Sequence, residues 1–349
     1  MPDHFHREGN ATTAPRRMLP EWEQQRGVLL TWPHAHSDWR TLLTEINPVY
    51  VALSYAIAER EPLFILCHNA ELKLQILASL KQAKAHLNNI TLLPVVTNDT
   101  WIRDYGPIAL IDQGQPRLLK CQFNGWGGKF AAEWDNQAVG ALQQLGLFGA
   151  IPLEHHDFIL EGGGIESDGQ GTVLTTARCF AQRYPHLAAP DLKNKLSALL
   201  GAQRIIILEQ GYIPGDDTDG HIDTLVRFCD PATLAYSAPA KNSPDPDLSA
   251  LENELQQLKT LQQKPYRLVP LPLPQWRQAE HTEPTPANYA NFLIINDAVI
   301  LPTYDDPADH IAQENLRSCF PNRDLILVPS LALVKQGGSI HCATMPLFF

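Results

Sequence analysis

One pattern constrains this chain more than any other: strand, turn, strand, amphipathic helix and strand recur in the same order along it. A first unit opens at Trp101-Ile102-Arg103-Asp104, with β-like runs around the turn Asp112–Pro116 and a helix over about 137–147. A second opens at Leu160-Glu161, with the hairpin signal Ser167-Asp168-Gly169, a helix over 192–200 and a strand over 204–208. A third turns at Asp230-Pro231 with a helix over about 246–264, and a fourth turns at Asn296-Asp297 with a helix over about 308–319. The fifth must close across the termini. Residues 339–349 end the chain, and 26–33 supply their partner strand, with helices over about 38–60 and 70–86 completing the unit. Five such units would close a pseudo-symmetric α/β ring, held shut by its terminal strands. An irregular α/β sandwich is the alternative.

The chain has 349 residues, of which 44% are hydrophobic, enough for a large core. Residues 1–18 are polar and read as a flexible N-terminal segment, followed by one catalytic domain over 19–349. The segment 237–247, rich in Pro, Ser and Asn, reads as a surface loop. A net charge of −11 argues against a nucleic-acid partner and favours a cationic one. No apolar run approaches a membrane span, and no apolar leader is visible. Six cysteines stand singly, without a C-x-x-C pair, as suits reduced thiols in the cytoplasm.

Polar residues appear where the first element of each unit should be apolar: Asp104, Glu161, His221 with Asp223, Asn291 and Cys342. At equivalent points of a ring they would converge on its axis, the usual form of an active site. His221 and Asp223 would share one face of a strand. His341 would face away from Cys342 for the same reason. The loop Gly215–Gly220 carries three carboxylates and suits a cation, but it lacks the EF-hand spacing that calcium needs. Glu161-Gly162-Gly163-Gly164 lacks the lysine of a phosphate loop and reads better as a carboxylate held in a tight site. Cys342 follows Gly337-Gly338, which permits close backbone approach, so it is the candidate nucleophile. The order His before Cys is the reverse of papain-like proteases.

These segments also form a set. Trp101–Pro107 (W-x-R-D-x-G-P), Phe123–Lys129, Leu160–Gly163, Asp216–Asp223 and Gly337–Thr344 (G-G-S-I-H-C-A-T) resemble the agmatine deiminase family, grouped with bacterial peptidylarginine deiminases. Leu19–Gly27 and Asn288–Phe292 fit as well, so the resemblance spans about 19–347. It implies a single-domain, five-bladed α/β propeller, the pentein fold. By resemblance, Cys342 is the nucleophile, His221 the acid/base, Glu161 its orienting partner, and Asp104 and Asp223 the carboxylates that hold a guanidinium. Agmatine would become N-carbamoylputrescine and ammonia through a covalent thiouronium, in putrescine biosynthesis, with no metal or cofactor. Asp217, Trp32, Trp101, Trp126 and Asn291 are candidates for binding the rest of the substrate. Arginine or peptidylarginine would need a partner for a carboxylate or peptide group, for which Arg103 and Arg227 are open. The chain departs from the family at Gln336, at Met345-Pro346 and over Arg178–Pro185. A silent cation-binding member is the other class of reading, and a homodimer is left open.

Overall fold

The computed structural model describes residues 15–239, 245–275 and 285–349. Five small sheets account for the strands among these residues. Each begins with an antiparallel pair and then adds a parallel strand. Ile108–Asp112 pairs antiparallel with Gln115–Gln122, which runs parallel to Leu153–Ile159. The same order holds for Glu166–Ser167, Thr172–Thr176 and Arg204–Leu208. It holds again for Val226–Asp230, Thr233–Ser237 and Arg267–Leu271. Leu293–Ile295, Ala298–Thr303 and Asp324–Pro329 repeat it. Parallel neighbours need a crossover, and helices supply it, as in Asp135–Gln144 and Ala308–Arg317.

The fifth sheet joins the two ends of the chain. Thr344–Leu347 pairs antiparallel with Gly27–Thr31, which runs parallel to Leu63–Cys67 and so leads to Ile90–Pro94. Gly27–Thr31 and Leu63–Cys67 are buried throughout, the signature of strands covered on both faces. Cys342 packs into the same apolar cluster as Leu29, Leu30, Trp39 and Tyr50, so its backbone rests on the largest core of the molecule.

Several elements differ from the sequence expectation. Arg17–Met18 forms an edge strand on Ile111 and Leu110, and Arg16 pairs with Glu154 at 2.8 Å, so the end of the segment expected to be flexible is tied down. The rest of that segment, residues 1–14, lies outside the described residues, as do 240–244 of the 237–247 loop. Of that loop, Ser237 is a strand residue and Asp245 caps the next helix, its Oδ1 accepting from the amides of Asp247 and Leu248. That helix stops at Gln257 instead of about 264, because Thr260 and Lys264 close a turn of their own. The single helix expected over 38–60 is a 3-10 turn, Asp38–Thr41, followed by Leu43–Ala58.

Candidate active site

The chemistry-bearing residues sit just before the first strand of each sheet. Asp104 lies in the helical turn Ile102–Tyr105, ahead of Ile108–Asp112. Glu161 caps the 3-10 turn Gly162–Gly164, ahead of Glu166–Ser167. His221 caps the 3-10 turn Ile222–Thr224, which carries Asp223. Asn291 precedes Leu293–Ile295, and Cys342 precedes Thr344–Leu347. His221 and Asp223 were expected on a strand. The strand begins only at Val226, and the tight turn aims both side chains into one space.

Gly163 marks that space. A Cβ on it would stand 2.7 Å from Asp104 Oδ1, 2.8 Å from His221 Nδ1 and 3.0 Å from Asp223 Oδ2. Three side chains therefore close over one glycine, and only the missing methyl lets them do so. Asp104 is fixed by two donors, the Gly163 amide on Oδ1 at 2.9 Å and Trp126 Nε1 on Oδ2 at 2.9 Å. Glu161 Oε2 meets His221 Nε2 at 3.3 Å, while Arg183 Nε donates to Glu161 Oε1 at 2.7 Å. Cys342 Sγ accepts from Asn291 Nδ2 at 3.2 Å and lies 3.5 Å from Asp223 Oδ2.

Two buried polar atoms here have no hydrogen-bond partner: His221 Nδ1 and Asp223 Oδ1. Buried orphans of this kind are rare, and at a reactive centre they mark where a ligand would bond. Their charges follow from their neighbours. Burial works against a charged His221, but the Asp104 carboxylate, with Cys179 and Glu161 behind it, overcomes this and pushes its pKa well above the usual value. Burial, with Asp223 and Glu161 nearby, pushes Asp104 up to about 6, against the pull of His221. Burial would raise Asp223 too, but the hydrogen bond and charge of His341 hold it below the usual carboxylate range. Burial and then the two aspartates push the Cys342 thiol well up, so in the empty site it is protonated.

A narrow cleft leads to Cys342 between Trp101, Trp126, Phe130, Asp38, Asp99, Asp217 and Gly338. Gly338 lies flat against Trp101, where a Cβ would be 2.5 Å from the ring. Of the tail residues read from sequence, Asp217, Trp101 and Trp126 line this cleft and Trp32 does not. Trp32 is buried against Tyr50, with its indole N–H on Asn47. Asn291 bonds Cys342 and does not line the cleft. Phe130, Asp38 and Asp99 were not singled out from sequence. Neither were Glu21, Cys179 and Arg183, and His341 was set aside. Arg103 and Arg227 are buried away from the cleft, each bonded to Glu21 at 2.9 Å.

Among the described residues, Glu161, Cys179 and His221 form the one group of ligand atoms close enough to hold a metal ion. The Arg183 guanidinium bonded to Glu161 already places a positive charge there, which argues against a cation at that point.

With this geometry in place, the comparison with known proteins is direct. The pattern of the Porphyromonas-type peptidyl-arginine deiminases matches residues 17–347. The chain belongs to that family. An agmatine deiminase of Pseudomonas syringae pv. syringae is 31% identical over 355 residues, covering 94% of each chain. A C. jejuni agmatine deiminase, solved as a Cys-to-Ser variant with substrate bound, is 33% identical with a TM-score of 0.86 over 96% of each chain. A Porphyromonas gingivalis structure, provisionally described as an arginine deiminase, is 40% identical with a TM-score of 0.87, over 95% of this chain and 98% of that one.

For this peptidyl-arginine deiminase family member, the raised Asp104 sets a pH dependence. As pH falls through about 6, Asp104 in the free protein takes up a proton and loses its hold on a cation. The acid limb of kcat/KM is therefore expected near pH 6, measured as ammonia release across a pH series. A flat profile between pH 5 and 7 would contradict this assignment.

Proposed function

We propose that this chain is an agmatine deiminase, hydrolysing agmatine to N-carbamoylputrescine and ammonia. The observation that carries the reading is the cleft: it is lined by Asp38, Asp99, Asp104 and Asp217 with aromatic faces, and among the described residues no Lys or Arg lines it. Agmatine carries a cation at each end. Arginine carries a carboxylate, which such a cleft repels, and the two arginines left open by sequence are committed to Glu21. Aromatic faces next to carboxylates suit an alkyl-ammonium tail.

The reaction follows from the side chains. Asp104 and Asp223 hold the planar guanidinium, with Asp223 Oδ1 free to accept. Its charge offsets the two carboxylates that suppress ionisation of Cys342, so the thiolate forms when substrate is bound. Sulfur adds to the central carbon. His221, kept protonated by Asp104 and then by Cys179 and Glu161, gives a proton from Nδ1 to the departing ammonia, and a thiouronium remains on Cys342. The now neutral His221 takes a proton from water, which adds to the same carbon. The C–S bond then breaks as the added hydroxyl loses its remaining proton to solvent, which releases the carbamoyl product and the thiolate. No step calls on a metal or organic cofactor.

The reading extends beyond the site. The five sheets are taken as blades of one pseudo-symmetric propeller, the pentein fold. With agmatine as substrate, the reading extends to a role in putrescine biosynthesis in the cytoplasm. Among the described residues no helix is long and apolar enough to cross a membrane.

A panel of agmatine, arginine and a blocked arginine peptide, followed by ammonia release, tests the substrate. Agmatine is expected to exceed arginine in kcat/KM by at least about 10³-fold, since an unpaired carboxylate in an acidic cleft costs several kcal/mol. Turnover of arginine or the peptide alone would replace this reading with its close relative.

A further inference from the structure

The proposed reaction needs Asp223 charged and with one oxygen free, in a position where burial opposes both. Asp223 has no exposed surface. Its Oδ2 meets His341 Nδ1 at 2.7 Å, and on the far side of the ring His341 Nε2 meets Glu21 Oε2 at 2.9 Å. Each ring nitrogen of His341 thus faces a carboxylate oxygen, a position from which an imidazolium donates to both. Glu21 is gripped in turn by Arg103 Nη2 and Arg227 Nη2, each at 2.9 Å, and Arg227 Nε is paired with Glu166 at 3.2 Å. The anions Asp223, Glu21 and Glu166 thus interleave with the cations His341, Arg103 and Arg227, and none of the six is more than 8% exposed.

We infer that Glu21 and His341 are positioning residues that act through Asp223, holding it ionised and turning its free Oδ1 toward the guanidinium. The inference rests on the reading of the site as a guanidine hydrolase. A bare carboxylate in this place would take up a proton. It would then offer the substrate a hydroxyl, and the bidentate hold would be lost. The imidazolium prevents this by charge and by direction. It engages Oδ2, which Cys342 Sγ also approaches at 3.5 Å, while Oδ1 has no partner of its own. It also places a positive charge one carboxylate away from Cys342, which offsets part of the repulsion felt by the thiolate. Glu21 orients the ring from behind through its contact with Nε2. A plain packing role for His341 would need neither a second carboxylate nor two arginines to hold that carboxylate.

The test uses the full chain in four forms. His341→Gln and Glu21→Gln are assayed for kcat and KM on agmatine across pH. Cys342→Ser and Cys342→Ser/His341→Gln are titrated with agmatine by calorimetry. The expected result is a KM raised at least about 10-fold in both single variants, with the acid limb of kcat/KM moved to higher pH, because Asp223 loses the cation that kept its proton off. The double variant binds agmatine at least about 10-fold more weakly than Cys342→Ser alone, the loss of one charge-assisted contact. An unchanged KM and an unmoved acid limb, with only kcat or thermal stability lowered, would overturn the inference. Glu21→Gln keeps one oxygen, which can still accept from His341 and Arg103 at the Oε2 position while Arg227 loses its acceptor at Oε1; as the milder change at the ring it decides the matter if His341→Gln fails to melt cooperatively. Failure of Cys342→Ser itself to bind agmatine would instead defeat the reading of the site on which this rests.

Discussion

Cys342→Ser is expected to abolish ammonia release from agmatine while agmatine still binds. The serine hydroxyl can occupy the same turn, take the Asn291 amide and leave Asp104 and Asp223 in place. It cannot supply the anion. Even the cysteine thiol is pushed up by burial and by the two aspartates, and an alcohol in the same field starts several units higher. Substrate charge suffices to ionise sulfur there but not oxygen. The loss in kcat should exceed about 10⁴-fold, the scale for removing a nucleophile that works as part of a unit. The assay is ammonia release with calorimetric binding on the same sample. Retention of more than about one part in a hundred of the wild-type rate would remove Cys342 from the chemistry.

Gly163→Ala carries the second large effect, and for a different reason. The methyl would enter the point where Asp104, His221 and Asp223 meet, at 2.7–3.0 Å from an atom of each. Gly163 does not sit at positive φ, so alanine is acceptable to its backbone. The strain falls on the side-chain ends, which must move apart by several tenths of an ångström. Displacements on this scale cost about 10²-fold or more when reacting groups must be aligned. The expectation is at least that loss in kcat/KM with a melting temperature within a few degrees of wild type. An alanine variant of full activity would show that the three side chains do not need to converge. The neighbouring Gly162 separates the two kinds of damage, because a Cβ there would lie 2.1 Å from the Arg103 carbonyl and strain the backbone itself.

The repeat was legible because each unit announces itself by local physics. Turns at Gln113-Gly114, Asp230-Pro231 and Asn296-Asp297 separate short apolar runs, and helices begin within a few residues of where polar and apolar positions alternate. The pairing of the last strand with Gly27–Thr31 was also open to reading, since neither run has another partner nearby in sequence. The ends of helices were less legible. Thr260 and Lys264 close their turn through bonds that no periodicity shows.

In the site, Asp104, Glu161, His221, Asp223 and Cys342 stood out as polar or nucleophilic residues interrupting apolar elements. What sequence could not show was how they are held. His341 was set aside on the assumption of a strand, where alternate residues face opposite ways. It sits in a turn before the strand begins, and there it reaches Asp223. Glu21 and Arg183 lie 320 and 22 residues from the groups they bond, His341 and Glu161, and such contacts leave no mark on spacing. Trp32 was a candidate for the substrate tail as an aromatic ring, but burial against Tyr50 is the commoner fate of such a ring.

The central claim is that one sulfur forms a bond to the guanidine carbon of the substrate. Rapid quenching of the enzyme with agmatine, followed by mass spectrometry of the digested chain, reads that bond directly. The expected result is a transient adduct on the peptide that carries Cys342, with the mass of the substrate less ammonia, absent from Cys342→Ser. An adduct on Cys179 or another cysteine, or undiminished turnover with no adduct at any time, would contradict it.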